Sequence, residues 1–359
     1  MLFKKLIISI WRLCLFLQVL IFTTLTSKKN KPKIFYGGAR KGDIGGPMVK
    51  ISKLSKFFEE SNISFNIVYL TSNNSYLSEQ TLRILKEKKI PIILNQNGVY
   101  YPEWFKGDYK GKNHINSYFH QFADYVLYQS KFSKKASEKY LGKRSGPGEI
   151  LYNAVDTKYF LPKKNPDKYF TFLITGNIRK KSNYRILSII YAISAIVNEY
   201  KNIKINIAGY IEDKNYLLSI IHTLSLEDKF TFLGKYSQKE APYIYNTADA
   251  YITMAYNDNC PSAVLEAMSS GLPILYSASG GIPELVNKDS GIGLKVKENW
   301  MKTEIPKKSD IQDGIKKIIE NKDNMSQSAR FRAIEYFDIK NWITKHNEIF
   351  EKLLNDSYS

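Results

Sequence analysis

The chain predicts an α/β protein with two parallel sheets in two successive domains. Three observations carry that prediction. Short apolar runs alternate with stretches of helical period from Lys33 to the end of the chain. The alternation falls into two series, parted by the Pro- and Lys-rich segment LPKKNPDK (161–168). No short-period repeat and no low-complexity segment points to another organisation. The 359 residues match about two domains at roughly 150 residues each.

The first series opens with KIFYGG (33–38), a strand running into a glycine loop. Met48, Ile51, Leu54, Phe57 and Phe58 then repeat at helical spacing over 45–60. FNIVYL (65–70) reads as a strand, 78–88 as a short helix and PIILN (91–95) as a strand. Residues 97–113 carry few apolar positions and read as a long polar-aromatic loop, a length that compact domains reserve for functional or mobile segments. DYVLYQS (124–130), a helix over 131–140 and EILYN (149–153) close the series. The second series runs YFTFLITG (169–176), helix 183–199, IKINIAG (203–209), helix 214–224, KFTFLG (229–234) and helix 238–246. AYITM (250–254), helix 262–270, PILYS (273–277), a turn into a short helix and GIGLKV (291–296) follow. Helices near 307–321, 325–335 and 339–354 end the chain. Strand–helix alternation of this kind places helices on the faces of parallel sheets, so the two series describe two Rossmann-like domains facing each other.

Composition excludes several classes. A chain that is 43% hydrophobic and 14% aromatic has ample core material and is not disordered. Two cysteines, Cys14 and Cys260, cannot staple a disulfide scaffold or build a zinc ribbon. The four histidines show no metal-ligand spacing, so no metal is expected. The net charge of +19 is uneven: residues 1–160 hold 26 Lys and Arg against 11 Asp and Glu, a net +15. A basic half suits an anionic partner, although a lysine-rich genome would also raise the total. No nucleic-acid motif accompanies the charge, and nucleic acid is not expected as a partner.

The segment 6–26, LIISIWRLCLFLQVLIFTTLT, is strongly apolar and just reaches the roughly 20 residues that span a bilayer. Arg12 and Gln18 interrupt it, and Lys28, Lys29, Lys31 and Lys33 follow it. A cleaved signal peptide would need a small-residue cleavage site, which is missing. The basic flank favours the cytoplasmic side. Residues 1–30 are therefore expected to form a membrane-associated apolar helix with a basic flank. It would sit at the cytoplasmic face, peripheral or as a single N-terminal anchor, on an anionic membrane surface. Packing on its own domain is the alternative.

The richest text is YNDNCPSAVLEAMSSGLPILYSASGGIPELV (256–286). Its loop sits at the carboxyl end of a strand, where open α/β sheets bind ligands. The helix starting near Ser262 points free N–H groups at that loop, which favours a phosphate. Glu266 follows within about a turn; a carboxylate there can accept both hydroxyls of a vicinal diol, or can simply favour a helix start. Gly45 and Gly46, in GGARKGDIGGPMVK (37–50), permit close backbone approach but match no phosphate-loop pattern. Cys260 has no histidine nearby in sequence to activate it and reads as packing, as do His114 and His120 on their helix.

The stretch from FLGKYSQKE through SASGGIPELV resembles the carboxy-terminal domain of family-4, GT-B type glycosyltransferases (glycosyl transferases group 1). That family writes two glutamates as E-x(7)-E, then E-A-M-A-x-G-x-P-V and G-G-x-x-E. Here Asp258 stands at the first acid, Glu266 at the second within EAMSSGLP, and Gly280, Gly281 and Glu284 at the glycine turn. Asn259, Cys260 and Pro261 replace the family's usual glycines. LYNAVDTKYFLP (151–162) is similar to the family's hinge, and ITGNIRKK (174–181) stands where the family has Arg and Lys toward the donor diphosphate. Where the family often places a histidine, this chain has Asn95-Gln96-Asn97-Gly98.

The resemblance implies a GT-B architecture: an acceptor domain over 31–160, a nucleotide-sugar domain over 165–335, a central cleft, and the helix 339–354 crossing back to the first domain. It implies a retaining transfer of a sugar from a nucleoside-diphosphate sugar to a saccharide or lipid-linked acceptor in cell-envelope polysaccharide assembly. Glu266 would hold the ribose, Arg179 with Lys180 or Lys181 the diphosphate, and Asp258 the sugar, with Asn259, Cys260, Pro261 and Ser262 forming the loop around it. Gly45 and Gly46 would border the donor phosphates. No cofactor beyond the donor substrate is implied. A donor-binding scaffold subunit without activity and a nucleotide-sugar epimerase of the same fold are the alternatives.

Overall fold

The computed structural model describes residues 2–22, 31–39, 41–42, 46–72, 76–162 and 168–358. Gly45, most of the 161–168 linker and residues 23–26 of the apolar segment lie outside them. The chain divides into two compact units: residues up to Tyr152 together with Lys340 onward, and Asn153–Ile339.

The first unit begins with helix α1 (Leu2–Phe22) and continues β1 (Ile34–Phe35), α2 (Gly46–Leu54), β2 (Ile67–Thr71), α3 (Glu79–Glu87), β3 (Ile92–Gln96), α4 (Tyr109–Phe122), β4 (Tyr125–Tyr128), α5 (Lys131–Leu141) and β5 (Gly148–Ile150). The described strands form one parallel sheet in chain order, β1-β2-β3-β4-β5. Alternation along the strands divides the core between two faces. Phe35, Val68, Leu70, Leu94 and Val126 pack with Leu15 and Val19 of α1 and with Leu82 and Leu85 of α3. The other face carries Tyr69, whose hydroxyl lies 3.0 Å from Nε2 of His346, on the chain's last helix.

The second unit runs β6 (Phe170–Ile178), α6 (Tyr184–Ile196), β7 (Ile203–Ile211), α7 (Lys214–Thr223), β8 (Phe230–Gly234), α8 (Ala241–Tyr245), β9 (Ala250–Thr253), α9 (Ser262–Ser269), β10 (Ile274–Ala278), α10 (Ile282–Leu285), β11 (Gly291–Lys295), α11 (Lys308–Glu320) and α12 (Lys322–Phe337). Its parallel sheet has the order β11-β10-β9-β6-β7-β8. Isoleucines from β6, α6, β7 and α11 fill its core. The last helix, α13 (Ile339–Tyr358), packs on the first unit: Phe350 is fully buried and stacks edge-on with Phe58, ring centroids 4.9 Å apart.

Two elements differ from the sequence expectation. The polar stretch 97–113 is not all loop, because α4 starts at Tyr109 under an Asp108 cap that accepts the Gly111 N–H at 2.8 Å. Its inner face carries Asn113, Asn116 and His120 beside Phe119, so the helix expected around His114 and His120 begins earlier than hydrophobic periodicity marks. Asn113 holds the loop by bonding both backbone groups of Tyr100, at 2.9 and 2.6 Å. The helix expected over 45–60 stops at Leu54. The chain then turns back to pair Glu60 with Ile34, and Ser61 N–H donates to the Ile34 carbonyl at 2.7 Å.

Candidate functional site

Strand order locates the site in the second unit. From β6 the chain moves outward through β7 and β8, then returns to lay β9 on the other side of β6. Ligands of open α/β sheets bind outside the carboxyl ends at such a reversal. The segments leaving β6 and β9 there are 179–183 and 254–261.

The loop after β9 is held in a bent form. Asn257 has φ +54°, its N–H donates to Ser279 Oγ at 3.0 Å, and its amide donates to the Asn299 carbonyl at 3.0 Å. Gly280, at φ +65°, lies so close that a Cβ would overlap the Asp258 backbone, and Gly281 N–H donates to the Asp258 carbonyl at 2.7 Å. This is why the glycine turn follows β10. From the other side Asn153 clamps the loop, donating its N–H to Cys260 Sγ at 3.2 Å and its amide to the Cys260 carbonyl at 2.6 Å. Cys260 is buried, so it anchors the loop rather than presenting a nucleophile.

Asp258 is solvent-exposed, yet the surrounding protein raises its carboxyl above the ordinary range by desolvation. The Arg185 charge and the N–H groups of Cys260 and Asn259 oppose that rise. α9 starts after Pro261, and no side chain caps its first N–H groups. Ser262 is the first residue of that helix, and Asn259 is half-buried in the loop before it. One turn in, Glu266 is only 5% exposed, and its Oε2 accepts the Tyr245 hydroxyl at 2.9 Å. Burial and the Glu266 charge hold Tyr245 far above its ordinary range, so it remains a donor. A helix-start glutamate with only a macrodipole role would face solvent; this one is built in.

The cations fall in two places. Arg179 sits at the end of β6, exposed, 3.7 Å from Glu212 and over the Tyr210 ring. Lys180 donates its backbone N–H to the same glutamate at 2.8 Å, and Lys181 stands beside it in a short turn of 3₁₀ helix. The cation whose charge acts on Asp258 and Tyr251 is Arg185, in the first turn of α6, with a buried Nε that has no hydrogen-bond partner. Sequence reasoning missed it. The signal was the compressed spacing after Gly176, which leaves Arg185 as the next cation after Lys181, on the following helix.

In the first unit the carboxyl edge is built of amides around one lysine. Lys50 Nζ, on α2, donates to Asn95 Oδ1 at 2.9 Å, and Asn95 donates to the Tyr69 hydroxyl at 3.0 Å. Gln129 bonds Asn97, and Gln96 Oε1 is buried with no partner. Gly46 opens α2. The fold rather than the sequence brings these amides together with Lys50.

Comparison with known proteins follows the same division. The family model described as Glycosyl transferases group 1 matches residues 156–335. An uncharacterized glycosyltransferase of Methanocaldococcus jannaschii is 24% identical over 227 residues, 60% of this chain and 53% of that protein. The N-acetyl-alpha-D-glucosaminyl L-malate synthase of Bacillus anthracis is 24% identical over 50% of this chain and 45% of its own length. The chain thus spans about half the length of these curated relatives. Among solved structures, the Anabaena protein HepE in complex with UDP superposes with a TM-score of 0.64 at 16% identity, over 86% of this chain and 82% of that one. Sucrose-phosphate synthase of Thermosynechococcus elongatus gives 0.65 at 13%, over 81% and 74%. The shared fold is GT-B.

Proposed function

Because the chain belongs to the glycosyl transferases group 1 family, we propose that it transfers a sugar from a nucleoside-diphosphate sugar to a saccharide or lipid-linked acceptor, with retention at the anomeric carbon. Its place would be the cytoplasmic face of a membrane, in cell-envelope polysaccharide assembly. The observation that carries this reading is Glu266, buried beside the β6/β9 reversal and fixed by Tyr245, eight residues after Asp258. Structures that share the fold hold UDP, and UDP-glucose in one case, which makes UDP the first donor nucleotide to try.

In this reading Glu266 accepts the ribose diol. The start of α9 and Arg185, with Arg179 further out, hold the diphosphate. Asp258 faces the sugar. Transfer breaks the bond from the anomeric carbon to the diphosphate oxygen and forms one to the acceptor oxygen, whose proton passes to the departing diphosphate. Positive groups placed where the leaving diphosphate gains charge lower the barrier, and positioning supplies the rest. The amide edge with Asn95, Gln96, Asn97 and Gln129 suits acceptor hydroxyls, because amides both donate and accept.

Calorimetric titration with uridine, UDP and UDP-glucose tests the assignment. Glu266→Gln removes a charge-assisted acceptor that contributes about 1.5–3 kcal/mol. That is a roughly 10- to 150-fold loss of UDP affinity at about 1.4 kcal/mol per decade. Arg185→Met weakens UDP and spares uridine. Asp258→Asn leaves UDP binding nearly unchanged and slows transfer. If Glu266→Gln bound UDP as tightly as the parent protein, the donor site would be elsewhere.

A further inference from the structure

Helix α1 is packed along only one side. Leu15 and Val19 are buried against the first unit's core, whereas Leu6, Leu13, Leu17 and Leu20, on the opposite side, are 43–58% exposed. A helix seated this way cannot also be ringed by lipid, and among the described residues no helix is long and apolar enough to cross a membrane. Its sequence carries Lys4, Lys5 and Arg12 and no acidic residue. An exposed apolar face on a cationic helix about 30 Å long is the make-up of a segment lying in an anionic bilayer interface.

Beneath α1 lies a cavity of about 490 Å³, within the roughly 300–1,000 Å³ of ligand sites. Ile7, Ile10, Trp11 and Cys14 line it from the helix, Gly38 from the turn after β1 and Tyr76 from the loop before α3, and nearly all of the lining is carbon. Gly37 and Gly38, at φ +61° and +72°, turn the chain at the carboxyl end of β1. A side chain at Gly38 would strike Leu15 and Trp11, so the glycine is what lets α1 lie directly over the strand end.

We propose that the outer face of α1 rests in an anionic bilayer and that this cavity takes one hydrocarbon chain of a lipid, held against the Gly37–Gly38 turn. The inference deepens the membrane and lipid-acceptor parts of the function above and rests on them for the identity of the head group. An apolar chain suits the cavity because nothing in the lining rewards a polar ligand, and a chain entering from the bilayer is the nearest supply.

Cys14 gives the readout, since it is exposed in the cavity wall while Cys260 is buried. The full chain is labelled with a maleimide and the rate at Cys14 followed by mass spectrometry. Palmitoyl-lysophosphatidylglycerol, below its micellar concentration, is expected to slow labelling about tenfold, and the hexanoyl analogue to leave it unchanged. Ile7→Glu with Ile10→Glu, both at exposed positions, abolishes that protection. Leu13→Glu with Leu20→Glu, outside the cavity, keeps it but loses flotation with phosphatidylglycerol vesicles. Equal protection by both chain lengths overturns the proposal. So does protection that rises with protein concentration in the absence of lipid, which would make α1 a contact between two copies. UDP titration of the same variants reads the donor site separately: unchanged UDP affinity beside lost protection sinks neither the donor assignment nor the cavity. Lost UDP affinity in the Ile7→Glu, Ile10→Glu protein would mean that the cavity is only part of the fold, and would overturn it.

Discussion

The two units present carboxyl edges of opposite character. The second unit's edge is charged: Asp258, Glu266 and Arg185 gather where the strand order reverses, with Glu266 held by Tyr245 and Asp258 accepting the Cys260 N–H. The first unit's edge is built from amides, two tyrosine-paired groups and one lysine, and its described strands run in chain order with no reversal. A charged edge with a built-in carboxylate discriminates by electrostatics and suits a nucleoside diphosphate. An amide edge discriminates by the direction of hydrogen bonds and suits hydroxyls. The first unit also depends on a helix from the far end of the chain, since α13 covers the face of its sheet that bears Tyr69.

That dependence sets the largest expected effect. Phe350 is fully buried between Phe58 and Tyr69. Phe350→Ala is expected to cost about 3–5 kcal/mol. Hydrogen exchange read peptide by peptide should show the loss over 34–128 and 340–358, with peptides of 170–295 nearly unchanged. Equal loss in both units would mean that they unfold as one. The next effect belongs to the second unit. Gly280→Ala forces a side chain into a left-handed backbone conformation and onto the Asp258 backbone. About 1–3 kcal/mol of destabilisation is expected. It should appear as a lower urea midpoint and weaker UDP binding together, because the turn and the Asp258 loop move as a unit.

Legibility in the sequence followed the same line. The second unit's strands and helices stood out because its core is written in isoleucine runs with glycine turns between them, and the family's text covers Asp258, Glu266 and Gly280–Gly281. Arg185 did not stand out, because its charge acts on Asp258 only once the first turn of α6 is packed, a three-dimensional fact. In the first unit only the start of α4 was hidden, its first turn read as loop because the buried positions Asn113 and Asn116 count as polar in periodicity. The amide edge was visible as letters but not as a cluster: Lys50, Asn95, Gln129 and His346 meet only once α2, β3, β4 and α13 are packed.

Acid should separate the units further. Burial lowers His346 to about 3 and His120 to about 4, with Lys50 and Arg144 respectively adding to the effect. Both are neutral in the folded first unit. A histidine whose folded pKa lies below its unfolded value of about 6.5 stabilises fully above that pH. The contribution is lost as pH falls from about 6.5 toward 4 and then 3, at up to about 1.4 kcal/mol per pH unit for each proton taken up only on unfolding. The second unit has only His222, on the surface. Exchange at pH 7 and pH 5 should therefore show the first unit loosening first, and Tyr69→Phe with His346→Gln should reduce the difference. Parallel loosening of the two units at pH 5 would assign the acid sensitivity to carboxylates instead.

The smallest expected effect compares one surface ion pair from each unit, half-buried in the first and exposed in the second. Lys345 lies 3.2 Å from Glu149 in the first, and Arg179 lies 3.7 Å from Glu212 in the second. Surface pairs contribute about 0.2–1 kcal/mol, and salt screens them. Neither Lys345→Ala nor Arg179→Ala should move the urea midpoint by more than about 1 kcal/mol, and 1 M salt should shrink both shifts. Ligand binding should separate them. Arg179 stands at the end of β6, on the charged edge, so its loss should weaken UDP by about tenfold, or 1.4 kcal/mol. Lys345 is on α13 and should leave UDP untouched. If Arg179→Ala bound UDP like the parent, Arg185 and the start of α9 would carry the diphosphate without it. The charged edge would then end at the first turn of α6.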